Sequence, residues 1–246
     1  MPQFNLSDIK KKIDTALTKA QDPVAVFDAD GTVWSVDVGF GFFHYQVQQN
    51  LLPTLTEGAK AKHQEEYENL ETRHKALLWL AQLNKGVPLA TLQQWVKDYV
   101  ASIAPIPFIP EQVELINYLQ EKKVKVFIVT ASVKWVVEVA AALLNIPPEQ
   151  CIGVKTEVHD GIITDIQSGE ITWGDQKLVE LLKHTNGVKP LLASGNSMGD
   201  LALLENASAV SLAISKATLE DTTEENLESE AKLLSIAKAK GWFWLG

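Results

Sequence analysis

Apolar residues recur at helical spacing near the start of the chain, at Leu6, Ile9, Ile13 and Leu17, and Ser7 or Asp8 is expected to cap that helix. After Pro23 the pattern becomes a short unbroken run, Val24-Ala25-Val26-Phe27. A run this short, β-branched and aromatic, reads as a buried parallel strand. Residues 37–104 carry no strand signal. They predict helices over 40–50, 57–84 and 89–101, separated by Leu52-Pro53-Thr54 and Gly86-Val87-Pro88. The proline-dense stretch 104–110 disfavours helix and reads as a link. Beyond it the pattern alternates: helix 110–122, strand 125–129, helix 133–145, then a break at Pro147-Pro148. Residues 151–158 and 162–166 flank His159-Asp160-Gly161 as the arms of a hairpin. Helix 175–185, strand 190–194, helix 199–205 and strand 207–213 follow. Such alternation predicts an α/β protein, a Rossmann-like parallel sheet with helices on both faces. The acidic stretch 219–230 is expected to be a solvated face or loop, because like charges repel.

Chemistry-bearing residues fall where these strands end. The first strand runs into Asp28-Ala29-Asp30-Gly31-Thr32. Open α/β sheets place ligands at the carboxyl ends of their strands. Two carboxylates there, beside Gly and Thr, suit a hard cation and a phosphate better than a core. One of them can act as nucleophile while the other gives or takes a proton. The strand Lys125-Val126-Phe127-Ile128-Val129 ends in Thr130-Ala131-Ser132. Trp173-Gly174-Asp175-Gln176-Lys177 opens a helical pattern, and the strand 190–194 leads into Gly195-Asn196-Ser197-Met198-Gly199-Asp200.

In this order the four segments resemble motifs I to IV of the haloacid dehalogenase-like phosphatase superfamily. The helical stretch between motifs I and II resembles the C1-capped branch, which includes phosphoserine and phosphorylcholine phosphatases. The resemblance implies a core of residues 1–36 and 105–246 and a helical cap of 37–104. It implies Asp28 as nucleophile, Asp30 as general acid and base, Thr130 as a phosphoryl-binding hydroxyl and Lys177 as the neutralising lysine. Ser132 joins Thr130 as a substrate-binding candidate. Mg²⁺ is the implied cofactor, suiting oxygen donors. Its expected ligands are Asp28, the Asp30 carbonyl, Asn196 and Asp200, the last directly or through water. Asn196 departs from the pattern, which has an acid there; an amide still offers a carbonyl oxygen, with one charge fewer. Thr32 is expected to tighten the turn and orient Asp30.

Two residues of the insert bear on substrate. Asp37 lies nine residues after Asp28, where the phosphoserine branch has an ammonium-binding acid, and Arg73 is the chain's single arginine. A planar guanidinium suits a carboxylate better than an ammonium does. A loop aspartate and a surface ion-pair partner are the plainer readings of the two. Trp34, Trp135 and Trp173 flank the motifs, so either they form a cage for a quaternary ammonium or each packs in the core.

Composition narrows the rest. The chain has 246 residues, 46% of them apolar, enough for a sizeable core. A formal net charge of −9 disfavours nucleic acid and anionic membranes as partners. The single cysteine, Cys151, excludes an internal disulfide, and the five histidines show no metal spacing. Gly39-Phe40-Gly41 lacks the third glycine of a dinucleotide fingerprint. The opening residues lack the apolar core of a signal peptide and no run approaches a membrane span, so a cytoplasmic location is expected. The expected activity is Mg²⁺-dependent hydrolysis of a small phosphorylated metabolite, phosphoserine-like or phosphorylcholine-like, through an aspartyl-phosphate. The alternative is a catalytically weak phosphate-binding or regulatory module.

Overall fold

The computed structural model describes residues 3–52, 55–215 and 224–246. Helix α1 (Leu6–Leu17) precedes strand β1 (Val24–Phe27). Four helices follow before the next strand: α2 (Val38–Gln48), α3 (Glu57–Glu68), α4 (Arg73–Gln82) and α5 (Leu89–Ser102). Then come α6 (Pro110–Glu121), β2 (Lys125–Val133), α7 (Lys134–Ala142), β3 (Cys151–Val154), β4 (Thr156–His159) and β5 (Ile162–Gln167). The chain closes with α8 (Asp175–His184), β6 (Leu192–Gly195), α9 (Leu201–Glu205), β7 (Val210–Ile214), α10 (Glu224–Lys240) and β8 (Phe243–Leu245).

Six strands form one sheet in the order β3-β2-β1-β6-β7-β8, and every pairing in it is parallel. This is the α/β, Rossmann-like architecture that the alternating pattern implies. Alternate residues of β1 feed opposite faces. Ala25 and Phe27 pack with Ile9 and Ile13 of α1 and Leu115 and Ile116 of α6. Val24 and Val26 pack with Leu181 of α8, Leu203 and Leu204 of α9, and Leu233 and Ala237 of α10. The chain grows from β1 outward through β2 and β3, then returns beside β1 with β6. The strand order reverses between β1 and β6, which opens a crevice at their carboxyl ends.

Several local expectations are corrected. The cap of α1 is Asn5, whose side chain accepts from the Asp8 N–H at 3.1 Å, not Ser7 or Asp8. The helix expected over 57–84 is two helices. Asn69 leaves helical geometry and its Oδ1 accepts from the Glu71 N–H at 3.0 Å. Thr72 Oγ1 and Arg73 Nε then donate to the Glu66 and Tyr67 carbonyls, at 3.1 and 2.7 Å, taking over acceptors at the end of α3. The segment 151–158 is not one hairpin arm: β3 joins the main sheet and only β4 pairs antiparallel with β5. That hairpin holds the link between α4 and α5, with Gly86 N donating to Ile163 O and Ile163 N to Val87 O, at 2.8 and 3.0 Å.

Part of the acidic stretch, 219–223, lies outside the described residues, as do Pro53 and Thr54. From Glu224 onward the stretch is the helical start of α10, with Glu224, Leu227 and Glu228 exposed, and α10 is seated on the sheet further along by Leu233 and Ala237. Neither α10 nor β8 is visible in the hydrophobic pattern. Among the described residues no helix is long and apolar enough to cross a membrane.

Candidate active site

Asp28 stands immediately past β1, its backbone N–H donating to the Ser194 carbonyl of β6 at 2.9 Å. The carboxylate therefore sits at the point where the strand order reverses. Gly31 turns the chain with φ +78°. A Cβ there would also lie 2.1 Å from Asn196 Nδ2, so the turn and the Asn196 side chain fit only around glycine. Thr32 Oγ1 lies 3.1 Å from Asp28 Oδ2 and 3.4 Å from Asn196 Oδ1. Thr32 thus orients Asp28, not Asp30 as the motif alone implied.

Lys177 enters from the first turn of α8, which Gly174 opens at φ +59°, ψ −135°, a conformation open essentially to glycine. The ammonium is buried and lies 2.6 Å from both Asp28 Oδ1 and Asp200 Oδ1. Burial works against its charge, but the two carboxylates outweigh it and hold Lys177 above the ordinary lysine value. Asp200 is fully buried. Its second oxygen accepts from the N–H groups of Asn196 and Ser197, both at 3.1 Å, and from Ser197 Oγ at 3.2 Å. Both Asp200 oxygens are thus engaged, one on Lys177 and one on its own turn.

Asp30 is held on three sides. Trp34 Nε1 and the Val38 N–H donate to Oδ1 at 2.7 and 2.9 Å, and Ser132 Oγ donates to Oδ2 at 2.6 Å. Burial, and then the charge of Asp37, raise its carboxyl to about 7 against these hydrogen bonds. Burial followed by the Asp200 charge raises Asp28 to about 7 as well, despite Lys177. Thr130 is buried on β2; its Oγ1 accepts from the Ser132 N–H at 3.0 Å, and its carbonyl accepts from Thr172 Oγ1 at 2.5 Å. The sequence reading had no signal for Thr172.

These residues line a cavity of about 530 Å³. Asp28, Asp30, Asp37, Arg73, Thr130, Ser132, Lys177 and Asn196 all reach its wall. Asp37 also caps α2, its Oδ1 accepting from the Phe40 N–H at 2.7 Å. Arg73 is buried, its guanidinium 5.0 Å from the Tyr67 ring centre and 5.7 Å from that of Trp173. Trp34 is not at the wall, contrary to expectation. It is fully buried beneath the site, edge-on to Phe108, with its N–H spent on Asp30. Trp135 is buried in the core cluster, and of the three tryptophans Trp173 alone lines the cavity, so no cage forms. One wall was missed altogether: Asn226, Glu228, Ser229, Glu230 and Lys232 of α10. An acidic run gives no signal of which residues will face a cavity.

Among the described residues no three His, Cys, Asp or Glu side chains are grouped to hold a metal. The donor set nonetheless fits a hard cation. Asp28 Oδ2 and Asn196 Oδ1 converge on the same Thr32 hydroxyl, and the Asp30 main chain lies in the same turn. All of these donors are oxygens, as Mg²⁺ prefers.

A model of the haloacid dehalogenase-like hydrolase family matches residues 25–205. The chain belongs to that family. No curated protein matches its sequence. Among solved structures, a protein with unknown function from Bordetella pertussis Tohama I aligns with a TM-score of 0.75 at 18% identity, over 92% of this chain and 99% of that one. A phosphoserine phosphohydrolase-like protein from Francisella tularensis subsp. tularensis SCHU S4 aligns with a TM-score of 0.55 at 20% identity, over 86% and 99%. A phospho-aspartyl intermediate analogue of phosphoserine phosphatase aligns at 0.53 and 15%, over 92% and 94%. At these identities the likeness establishes the fold.

The raised carboxyls have a consequence for the metal-free protein. A carboxyl whose value is higher folded than unfolded contributes stability that is full at low pH and lost between about 4 and about 7. Asparagine at position 30 can keep an oxygen for Trp34 and Val38 and turn its NH₂ to Ser132 Oγ, and it cannot ionise. Asp30→Asn should therefore melt higher than wild type at about pH 8, with the gap closing toward about pH 4. Thermal melts in chelator read this directly. A variant that melts lower than wild type at the higher pH would contradict the assignment.

Proposed function

We propose that this chain is a phosphomonoester hydrolase that works through an aspartyl-phosphate on Asp28. The observation that carries the reading is the buried Lys177, 2.6 Å from Asp28 at the strand-order reversal, with Asp30 two residues on. Phosphoryl transfer depends mainly on positioning and on neutralising spread-out negative charge. Lys177 and Thr130 supply cation and hydroxyl around the nucleophile. Asp28 attacks phosphorus and forms a new O–P bond as the bond to the leaving oxygen breaks. Asp30 gives that oxygen its proton; a value raised to about 7 keeps the proton available at neutral pH. Asp30 then takes a proton from water, whose oxygen displaces Asp28 from phosphorus and frees phosphate.

Asp28, the Asp30 carbonyl and Asn196 would hold Mg²⁺. When bound, the cation offsets phosphoryl charge and favours the ionised form of Asp28. Asp200 serves Lys177 instead. Residues 37–104 would act as the cap and set the substrate, a small phosphorylated metabolite. Asp37 and Arg73 on the cavity wall favour a phosphoserine-like substrate with ammonium and carboxylate. The missing tryptophan cage removes support for a phosphorylcholine-like one. A second reading, phosphate binding without turnover, is favoured by one observation: Asn196 replaces an acid while Asp200 is fully engaged elsewhere.

A panel of phosphorylated metabolites with an aryl phosphate, assayed with and without Mg²⁺, separates the two readings. Wild type is expected to turn over with Mg²⁺, and Asp28→Asn to fall to background with no loss of melting temperature. Turnover in Asp28→Asn within about tenfold of wild type would exclude the covalent route. Asn196→Asp restores one charge at the cation and should lower the Mg²⁺ concentration for half-maximal rate. An unchanged titration would remove Asn196 from the metal site.

A further inference from the structure

We infer that Ser229 of α10 is a positioning residue for Lys177 and Asp28, an inference that rests on the phosphatase reading of the site. Ser229, Leu233 and Ala237 recur at a spacing of four, and so lie on one stripe of α10. Leu233 and Ala237 are fully buried against the sheet with Val24 and Val26. The stripe's next position would ordinarily be apolar too. It is instead a serine at the cavity wall, and its hydroxyl oxygen accepts from the Met198 N–H at 2.9 Å.

Met198 begins the short 3-10 turn Met198–Asp200. The leading N–H groups of any helical turn lack partners within it. Here that of Met198 is met by a side chain 31 residues further on, from α10, which packs with α8 and α9 on the same face of the sheet. The turn has little room to adjust. A Cβ on Gly195 would lie 2.4 Å from Asp200 Cβ, so Asp200 is pressed against the end of β6. Asp200 Oδ2 is bound by the N–H groups of Asn196 and Ser197. Asp200 Oδ1 in turn holds Lys177, and Lys177 holds Asp28. Ser229 therefore fixes the start of a turn whose end sets the position of the lysine. A tilt at Met198 would move Asp200, and the ammonium would shift away from the nucleophile. The loss would fall on turnover rather than on substrate affinity, because Ser229 acts through the turn.

The test compares Ser229→Ala and Ser229→Thr with wild type, using an aryl phosphate with Mg²⁺ and backbone hydrogen exchange over 196–200. Ser229→Ala should lower kcat about fivefold, the weight of one neutral hydrogen bond, and leave KM within about twofold. Exchange at Met198 should speed up while the melting temperature stays within a few degrees of wild type. Ser229→Thr keeps the hydroxyl and should restore both kcat and exchange. Unaltered kcat in Ser229→Ala with an active wild type overturns the inference alone, as does a rise in KM with kcat unchanged. Unaltered exchange overturns it too. A wild type inactive on every phosphate ester overturns the phosphatase reading and this inference with it.

Discussion

One ammonium, Lys177, is shared at 2.6 Å by two buried carboxylates, Asp28 and Asp200, and much of the local structure serves to make that possible. Burying a lysine is costly unless it is paired and hydrogen-bonded. Two carboxylates meet that cost for Lys177 and create another, since one ammonium leaves one negative charge uncompensated. Burial, and then the charge of Asp200, raise the Asp28 carboxyl to about 7 against the pull of Lys177. The imbalance also leaves a negative site that favours a divalent cation. Removing the lysine would strand both acids, whereas a cation beside Asn196 would offset the remaining negative charge and leave a net positive site for a phosphoryl group.

The backbone features around the trio follow from this need. Gly174 takes a conformation closed to other residues, so that α8 begins with Lys177 in its first turn. Gly31 and Gly195 have no side chain where Asn196 and Asp200 must pass. Ser197 and the turn's N–H groups bind the second oxygen of Asp200 and leave the first to the lysine. The parallel sheet contributes position: β1 and β6 end side by side, which brings Asp28 to Asp200 across more than 170 residues of chain.

Much of this was legible in the sequence. The short, β-branched and aromatic run Val24–Phe27 reads as a strand buried on both sides, as it is, and acids at its end have few structural uses. Lys177 and Thr130 were singled out by the resemblance to ordered motifs, each following a strand or opening a helix, and both line the cavity. What escaped depended on contacts without sequence period. Trp34 lies four residues from Asp30 and looks free to reach a ligand, yet its N–H is committed to that acid. Thr32 serves Asp28 rather than Asp30 because the Gly31 turn carries its hydroxyl back toward β1. The break at Asn69 turns on one side-chain hydrogen bond that competes with the helix. The α10 wall lies in an acidic run whose charge spoke for solvent, while Leu233 and Ala237 seat it on the sheet.

The central claim is that the charge arrangement makes Asp28 a nucleophile toward phosphorus. The most direct measurement is to quench the protein in acid during turnover of a reactive phosphoryl donor with Mg²⁺, then map the added mass by peptide. The account requires one phosphoryl group, on the peptide containing Asp28, discharged by alkaline hydroxylamine as an acyl phosphate is. Turnover with no label at Asp28, or with stable label on another residue, would contradict it.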